Sequence, residues 1–177
     1  MDTTYKYICR LSNIQRFQGR KLLAPYSVAD HTLRVIFLSL RIADETSADA
    51  ELCMQLALAH DFDEAFTGDI PAPVKKDLQL DEHKLKKIMS SAGVDLLKSP
   101  LIYHNLTYIE IYHDIVKLAD MLECFITCSY EIERGNISLT NCYNNLLPKI
   151  EDSINNRLRL KKDSYIRALF EKAKKDA

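Results

Sequence analysis

The chain has 177 residues, 47% of them hydrophobic, and its formal net charge at pH 7 is −1. This length suits one domain with a sizeable core, and a near-neutral charge argues against a protein that coats a nucleic-acid polymer. No apolar run approaches the roughly 20 residues that a membrane helix needs, and the first six residues lack the pattern of a signal peptide. We therefore expect a single domain over residues 1–177 that binds neither a membrane nor a nucleic-acid polymer.

The five cysteines form no recognisable disulfide framework. An odd number of unpaired cysteines is typical of free thiols in a reducing compartment, so the sequence predicts a cytoplasmic protein. Cys124 and Cys128 are four residues apart and could chelate a metal. Buried free thiols are the favoured interpretation of this pair.

Helical periodicity extends along the whole chain, and no segment alternates as a strand does. Ser27 is a candidate N-cap for a first well-defined helix. The predicted apolar face of that helix consists of Leu33, Ile36, Phe37 and Leu40. Thr46 and Ser47 are predicted to start the next helix, which is apolar until it reaches His60.

Glycine and proline residues interrupt the helical pattern after this helix. Residues 61–67 predict one further short turn, which Gly68 would end. Pro71 and Pro73 predict extended or turn-like backbone between them, because a residue before proline avoids helical dihedral angles.

Four more helices are predicted in the remainder of the chain, at residues 81–97, 107–134, 139–155 and 163–174. The second of these is the longest, and Gly135–Asn136 is a suitable C-cap for it. Its predicted buried face consists of Ile115, Leu118, Leu122, Phe125 and Ser129. The predicted fold class is therefore all-α, a single helical bundle.

Four polar side chains from three predicted helices are candidate metal ligands: His31, His60, Asp61 and Asp120. Imidazoles and carboxylates placed beside apolar runs are costly to bury unless something charged holds them. Two imidazoles and two carboxylates suit a divalent transition metal that keeps open positions for water and substrate. Each residue alone is more often structural, so only the four together indicate a metal.

The order of these residues resembles the signature of HD-domain phosphohydrolases. Ser27–His31 and the run His60–Lys75, HDFDEAFTGDIPAPVK, resemble more closely the YfbR-type 5'-deoxynucleotidases. The resemblance covers roughly residues 10–135 and implies a helical HD-domain fold. It also implies one divalent metal ion (Co, Mn, Zn or Mg) on the four candidate ligands, and a homodimer.

The resemblance further implies a deoxynucleotide as the small-molecule substrate. Glu64 would act on the attacking water, and Arg16 would lie near the phosphate. Phe17 stands where the family usually has tryptophan, which keeps a flat ring but removes an N–H donor. The other residues implied to bind the nucleotide are Asp69, Ile70, Pro71, Ala72 and Lys75.

The chemistry of these residue types agrees with that assignment. Glu64 follows Asp61 by one helical turn and can face the same cavity, where it could move a proton. Arg16 offers a planar fork of donors for phosphate, although by position alone it would be a solvated loop cation.

Three functions remain open from the sequence. The favoured one is metal-dependent hydrolysis of 2'-deoxynucleoside 5'-monophosphates to deoxynucleoside and phosphate. The second is hydrolysis of deoxynucleoside triphosphates to deoxynucleoside and triphosphate. The third is a nucleotide-binding regulatory module with little turnover. The number of lysines and arginines near the motif is sufficient for either phosphate length.

Overall fold

The structure is a computed structural model, and it describes residues 3–71, 74–75 and 109–177. Within those ranges the regular structure is helical, with an isolated bridge between Gln15 and Ser27, which confirms the predicted all-α class. No helix in these ranges is long and apolar enough to cross a membrane. The helix predicted at 81–97 lies outside the described residues, as do Ala72 and Pro73.

In the part of the chain that the structure describes, the α-helices are, in order, α1 Thr3–Leu11, α2 Val28–Thr46, α3 Ala50–Ala59, α4 Glu64–Thr67, α5 Ile109–Glu133, α6 Thr140–Asp152 and α7 Tyr165–Asp176. A short 3-10 turn, Ile137–Leu139, precedes α6, and one π-type turn, Ser153–Arg157, follows it.

Helix α2 begins after Ser27, the N-cap that the sequence predicts, and Ser27 forms a capping box with Asp30. The Ser27 hydroxyl accepts from the Asp30 amide, and the Asp30 carboxylate accepts from the Ser27 amide at 3.0 Å. These two bonds satisfy donors that a helix start otherwise leaves unpaired. The cap fixes the first turn of α2, which carries His31.

The predicted apolar face of α2 was wrong at two of its four residues, since Ile36 packs against the core and Leu40 is partly buried. Leu33 is 69% exposed and Phe37 is 55% exposed. The residues of α2 that are buried instead are Val28, His31, Thr32, Val35, Leu38, Ser39, Ile42 and Ala43. Helix α2 carries two apolar stripes at helical spacing, and periodicity alone does not decide which one packs inward.

The start of α3 also differs from the prediction. Thr46 is still part of α2, and Ser47 adopts a left-handed conformation with φ of 54° that ends the helix. Helix α3 starts at Ala50, and the Asp49 carboxylate accepts from the Leu52 amide at 3.0 Å. Asp49 is as strong an N-cap as serine, and it lies where the new helix axis begins.

Helix α5 runs through the core. All five residues of its predicted face are at most 2% exposed, so this prediction is confirmed. Gly135, with φ of 89°, ends the helix as expected, and the Asn136 amide donates to the Glu131 carbonyl at 2.9 Å. The core packed around α5 draws on α2, α3, α6 and α7.

A second, smaller apolar cluster holds the turn between α3 and α4. Leu11, Val28, Phe62 and Ala65 form it, and the rings of Tyr7 and Phe66 stack at 4.2 Å beside it. Phe62 follows Asp61 directly, so burying this ring fixes the backbone that presents the His60–Asp61 pair.

Candidate metal centre

His31 lies at the centre of a group of polar side chains drawn from α2, from the turn after α3 and from α5. It is fully buried, and its Nε2 atom lies 3.1 Å from Nε2 of His60 and 3.2 Å from Oδ1 of Asp120. Oδ2 of Asp61 lies 3.4 Å from the same His31 nitrogen and 3.3 Å from Nε2 of His60. The structure therefore brings together all four candidate ligands.

These spacings suit a cation. Ligand atoms about 2.1 Å from a metal lie about 3.0–3.4 Å from each other in octahedral or tetrahedral geometry. The donor atoms of His31, His60 and Asp120 all lie within 4.8 Å of one another. The Asp120 side chain is 40% exposed, so this side of the group is open to solvent and substrate. The residues therefore fit a metal ion with open coordination positions.

The electrostatics of His31 point in the same direction. Burial alone would lower its pKa, but hydrogen bonds to Asp120, Asp61 and Glu123 outweigh burial and raise the pKa to about 10. Without a metal the imidazole therefore holds a proton at neutral pH. The surrounding carboxylates stabilise a positive charge at this position, and a divalent ion can supply that charge in place of the proton.

Glu123 is a buried member of this group that the sequence did not point to. It is only 3% exposed, and its Oε2 accepts from Nδ1 of His31 at 2.8 Å. Thr127 donates to its other oxygen at 3.0 Å, and Arg34 lies 3.4 Å from that oxygen. The carboxylate holds the imidazole so that Nε2 faces the ligand group. A glutamate among apolar residues three positions after Asp120 was the available signal.

His60 is oriented in a similar way by the backbone. Its Nδ1 atom lies 2.6 Å from the Ala57 carbonyl oxygen, so Nδ1 must carry the proton. Nε2 is then left with a free lone pair for a metal. The end of α3 thus selects the tautomer of this ligand.

Replacing Glu123 tests the orientation of His31. We expect Glu123→Ala to weaken metal affinity by about 10–100-fold, because the imidazole loses the group that fixes its tautomer and ring plane. Isothermal titration with Mn²⁺, which the cysteine cluster disfavours, measures this change. Glu110→Ala, an exposed glutamate of α5, is the matched control and should bind as the wild type does. Unchanged affinity in Glu123→Ala would contradict the positioning role.

Arg16 reaches the centre from the segment between α1 and α2. The Arg16 amide donates to the Tyr26 carbonyl at 2.8 Å, and the Val28 amide donates to the Ile14 carbonyl at 2.9 Å. The segment therefore folds back on itself and directs the guanidinium inward, where Nη1 lies 2.7 Å from Oδ2 of Asp61. Its side chain is 14% exposed, so the interpretation of Arg16 as a solvated loop cation was wrong.

Glu64 is buried beside the ligand group. Lys75 donates to its Oε1 at 2.9 Å, while Oε2 has no hydrogen-bond partner within the described ranges. Burial raises the pKa of Glu64 most, the Asp61 charge raises it further, and Lys75 opposes both, which leaves the pKa at about 7. An unpartnered buried carboxylate oxygen with this pKa can accept or donate a proton near neutral pH.

The other residues implied to bind nucleotide surround this group less closely. Phe17 is half-buried, with a positive φ of 58°, and its ring lies 6.3 Å from that of Tyr26. Asp69 follows the predicted helix break at Gly68 and is close enough to help raise the pKa of Glu64. Ile70 and Pro71 lie in the non-helical segment after it. Their contacts with a nucleotide stay predictions.

Known proteins resemble the chain over nearly its whole length. The family model described as 5'-deoxynucleotidase YfbR-like matches residues 3–169, beyond the region in which the sequence motifs lie. A 5'-deoxynucleotidase of Shewanella oneidensis is 26% identical, over 94% of this chain and 93% of the relative.

Solved structures share the fold. The PH0347 protein of Pyrococcus horikoshii superposes with a TM-score of 0.69 at 20% identity, covering 100% of both chains. The HD phosphohydrolase of cyanophage S-2L, determined with dA and one catalytic Zn²⁺ ion, gives a TM-score of 0.59 at 19% identity, covering 99% of this chain and 98% of the other.

Proposed function

The chain belongs to the YfbR-like 5'-deoxynucleotidase family, and on that premise we propose that it hydrolyses 2'-deoxynucleoside 5'-monophosphates to deoxynucleoside and inorganic phosphate. The observation that carries the proposal is the spacing of the ligand group, 3.1–3.4 Å between neighbouring donor atoms, beside a buried carboxylate with a free oxygen. A 5'-deoxynucleotidase relative and a neighbour that binds dA and Zn²⁺ agree with it.

We assign His31, His60, Asp61 and Asp120 to one divalent ion. Such an ion, when bound, lowers the pKa of a coordinated water towards about 7 and neutralises charge on phosphoryl oxygens. The protein holds the four ligands through the α2 cap, the end of α3 and the middle of α5. Zn²⁺, Mn²⁺, Co²⁺ and Mg²⁺ are the candidate ions.

Glu64 and Arg16 complete the proposed machinery. Glu64 exchanges a proton at its free Oε2, taking one from the attacking water or giving one to the leaving 5'-oxygen. Lys75 keeps the opposite carboxylate oxygen in place at 2.9 Å. The Arg16 guanidinium lies beside the centre and provides donors for a phosphate oxygen.

Nucleotide selection is assigned to Phe17, between α1 and α2, and to the segment after α4. We propose that Phe17 packs against the nucleotide and that Asp69, Ile70, Pro71 and Ala72 contact sugar and base. Pro71 fixes its own backbone φ angle, which suits the exclusion of a 2'-hydroxyl by shape. The proposed enzyme therefore prefers deoxyribonucleotides.

Phosphorus NMR of the products tests this function. Enzyme with Mn²⁺ or Co²⁺ is incubated separately with dAMP, AMP and dATP. We expect inorganic phosphate from dAMP and a lower kcat/KM for AMP. Intact tripolyphosphate from dATP, with dAMP cleaved no faster, would assign the triphosphate reaction instead. Metal-loaded protein that binds dAMP without turnover would identify a regulatory module.

We also propose that the protein is a homodimer. Leu33 and Phe37 lie one turn apart on α2 and are 69% and 55% exposed, and a paired copy would cover them. Light scattering at micromolar concentration should give twice the chain mass. The double variant Leu33→Lys, Phe37→Lys should give a monomer, whereas Ile137→Lys, at a 76% exposed apolar residue, should not. A monomeric wild type would reject the assembly.

A further inference from the structure

Three cysteines meet on the face between α5 and α6. Cys124 and Cys128 are one helical turn apart on α5, so their side chains lie on the same face. Cys142 is the third residue of α6. The three Sγ atoms all lie within 4.8 Å of one another, and those of Cys124 and Cys142 are 3.9 Å apart. The sequence pointed only to the α5 pair and favoured free thiols, because it did not bring Cys142 to the same place.

The sulfur spacing is that of ligands around one ion. A metal bound at about 2.3 Å from each sulfur places tetrahedral neighbours about 3.8 Å apart, close to the separation of Cys124 and Cys142. A disulfide would require about 2.05 Å. Cys128 is fully buried, and the other two cysteines are half-buried, so the cluster is shielded from bulk water but reachable from one side.

The electrostatics of the cluster already favour one thiolate. Hydrogen bonds from Cys124 and Cys128 lower the pKa of Cys142, and positive charge on Arg20 and Arg16 lowers it further. The pKa values of Cys124 and Cys128 are raised in turn. Cys142 also lies in the first turn of α6, where amide groups favour negative charge.

We propose that Cys124, Cys128 and Cys142 form a second metal site, which takes a thiophilic ion of the zinc class. Thiolates select soft or borderline ions over Mg²⁺, and three sulfurs leave a fourth position for water. This site shares no ligand with the histidine–aspartate centre, and it stands independently of the proposed phosphohydrolase activity.

Binding at this site is a ligand exchange with no redox change. The ion bonds to the Cys142 thiolate and to the sulfurs of Cys124 and Cys128, whose two S–H bonds break and release two protons to solvent. Affinity therefore rises with pH. The bound ion would link the middle of α5, one turn beyond Asp120, to the start of α6 through shared coordination.

Cobalt distinguishes the two sites spectroscopically. Co²⁺ is titrated into reduced, metal-free full-length protein, and sulfur-to-cobalt charge transfer is followed in the near ultraviolet. Only thiolate ligation produces this band, so the histidine–aspartate centre does not contribute to it. We expect the band in the wild type, with two Co²⁺ ions per chain by native mass spectrometry.

Substitutions assign the band to its ligands. Cys142→Ser should lose the band and one ion, while Cys9→Ser, an exposed cysteine outside the cluster, should keep both. Asp120→Ala should keep the band. Circular dichroism checks folding, and Cys124→Ser provides the same readout if Cys142→Ser does not fold. A wild type without the band, or a band that survives in folded Cys142→Ser, overturns the proposal.

Discussion

Asp120→Ala should lose the metal ion of the histidine–aspartate centre and reduce phosphohydrolase activity by about 10³-fold or more, because a catalytic metal supplies several kcal/mol of transition-state stabilisation. Asp120 provides the ligand oxygen nearest to Nε2 of His31, at 3.2 Å. Its side chain is 40% exposed, so truncation removes charge from the centre without opening a cavity in the core. The fold should survive the change.

Asp114→Ala is the matched control for Asp120→Ala. Asp114 lies on the same helix and pairs with Arg157 at 3.1 Å, outside the ligand group. Asp114→Ala should retain metal and activity, and both variants should keep the helical circular dichroism of the wild type. His60→Ala should behave as Asp120→Ala does. Elemental analysis that finds as much metal in both centre variants as in the wild type would reject the ligand assignment.

Local physics made much of the fold predictable. The N-cap at Ser27, the break at Gly68 and the end of α5 at Gly135 depend mainly on residues close to one another in sequence, and all three were predicted from the sequence. Helix α5 has one apolar stripe, so its buried face was predictable too. Helix α2 has two apolar stripes, and which of them is buried depends on packing against α5, which is far away in sequence.

The residues of the centre that were predicted are likewise marked by their neighbours in sequence, and the one that was missed is not. His60 and Asp61 are adjacent and stand in a recognisable motif, whereas Glu123 meets His31 across 92 residues. Nothing local marks Glu123 as the partner of a histidine on another helix. The cluster of Cys124, Cys128 and Cys142 was missed for the same reason, since it forms only when α6 packs on α5.

Glu64 is expected to have the second-largest effect. Its Oε2 is buried and unpartnered within the described ranges, while its Oε1 is held by Lys75. Glu64→Gln keeps the shape and an oxygen that Lys75 can bond, but it removes the exchangeable proton. We therefore expect kcat to fall by about 10²–10⁴-fold, with metal content and dAMP affinity unchanged. Glu51→Gln, an exposed glutamate of α3, should leave kcat as it is.

The pH profile separates proton transfer from a merely structural role. If Glu64 accepts a proton from water, kcat rises with pH as the carboxyl ionises, and this rising part of the profile is its acidic limb. The pKa of Glu64, about 7 in the metal-free protein, is the highest pH expected for the midpoint of that limb in the wild type. A bound cation lowers the pKa and moves the limb to more acidic pH. Glu64→Gln should lose the limb, whereas Lys75→Met, which removes the positive charge beside Glu64, should move it to higher pH. A fully active Glu64→Gln enzyme, or a limb that persists in it unchanged, would exclude Glu64 as the proton carrier.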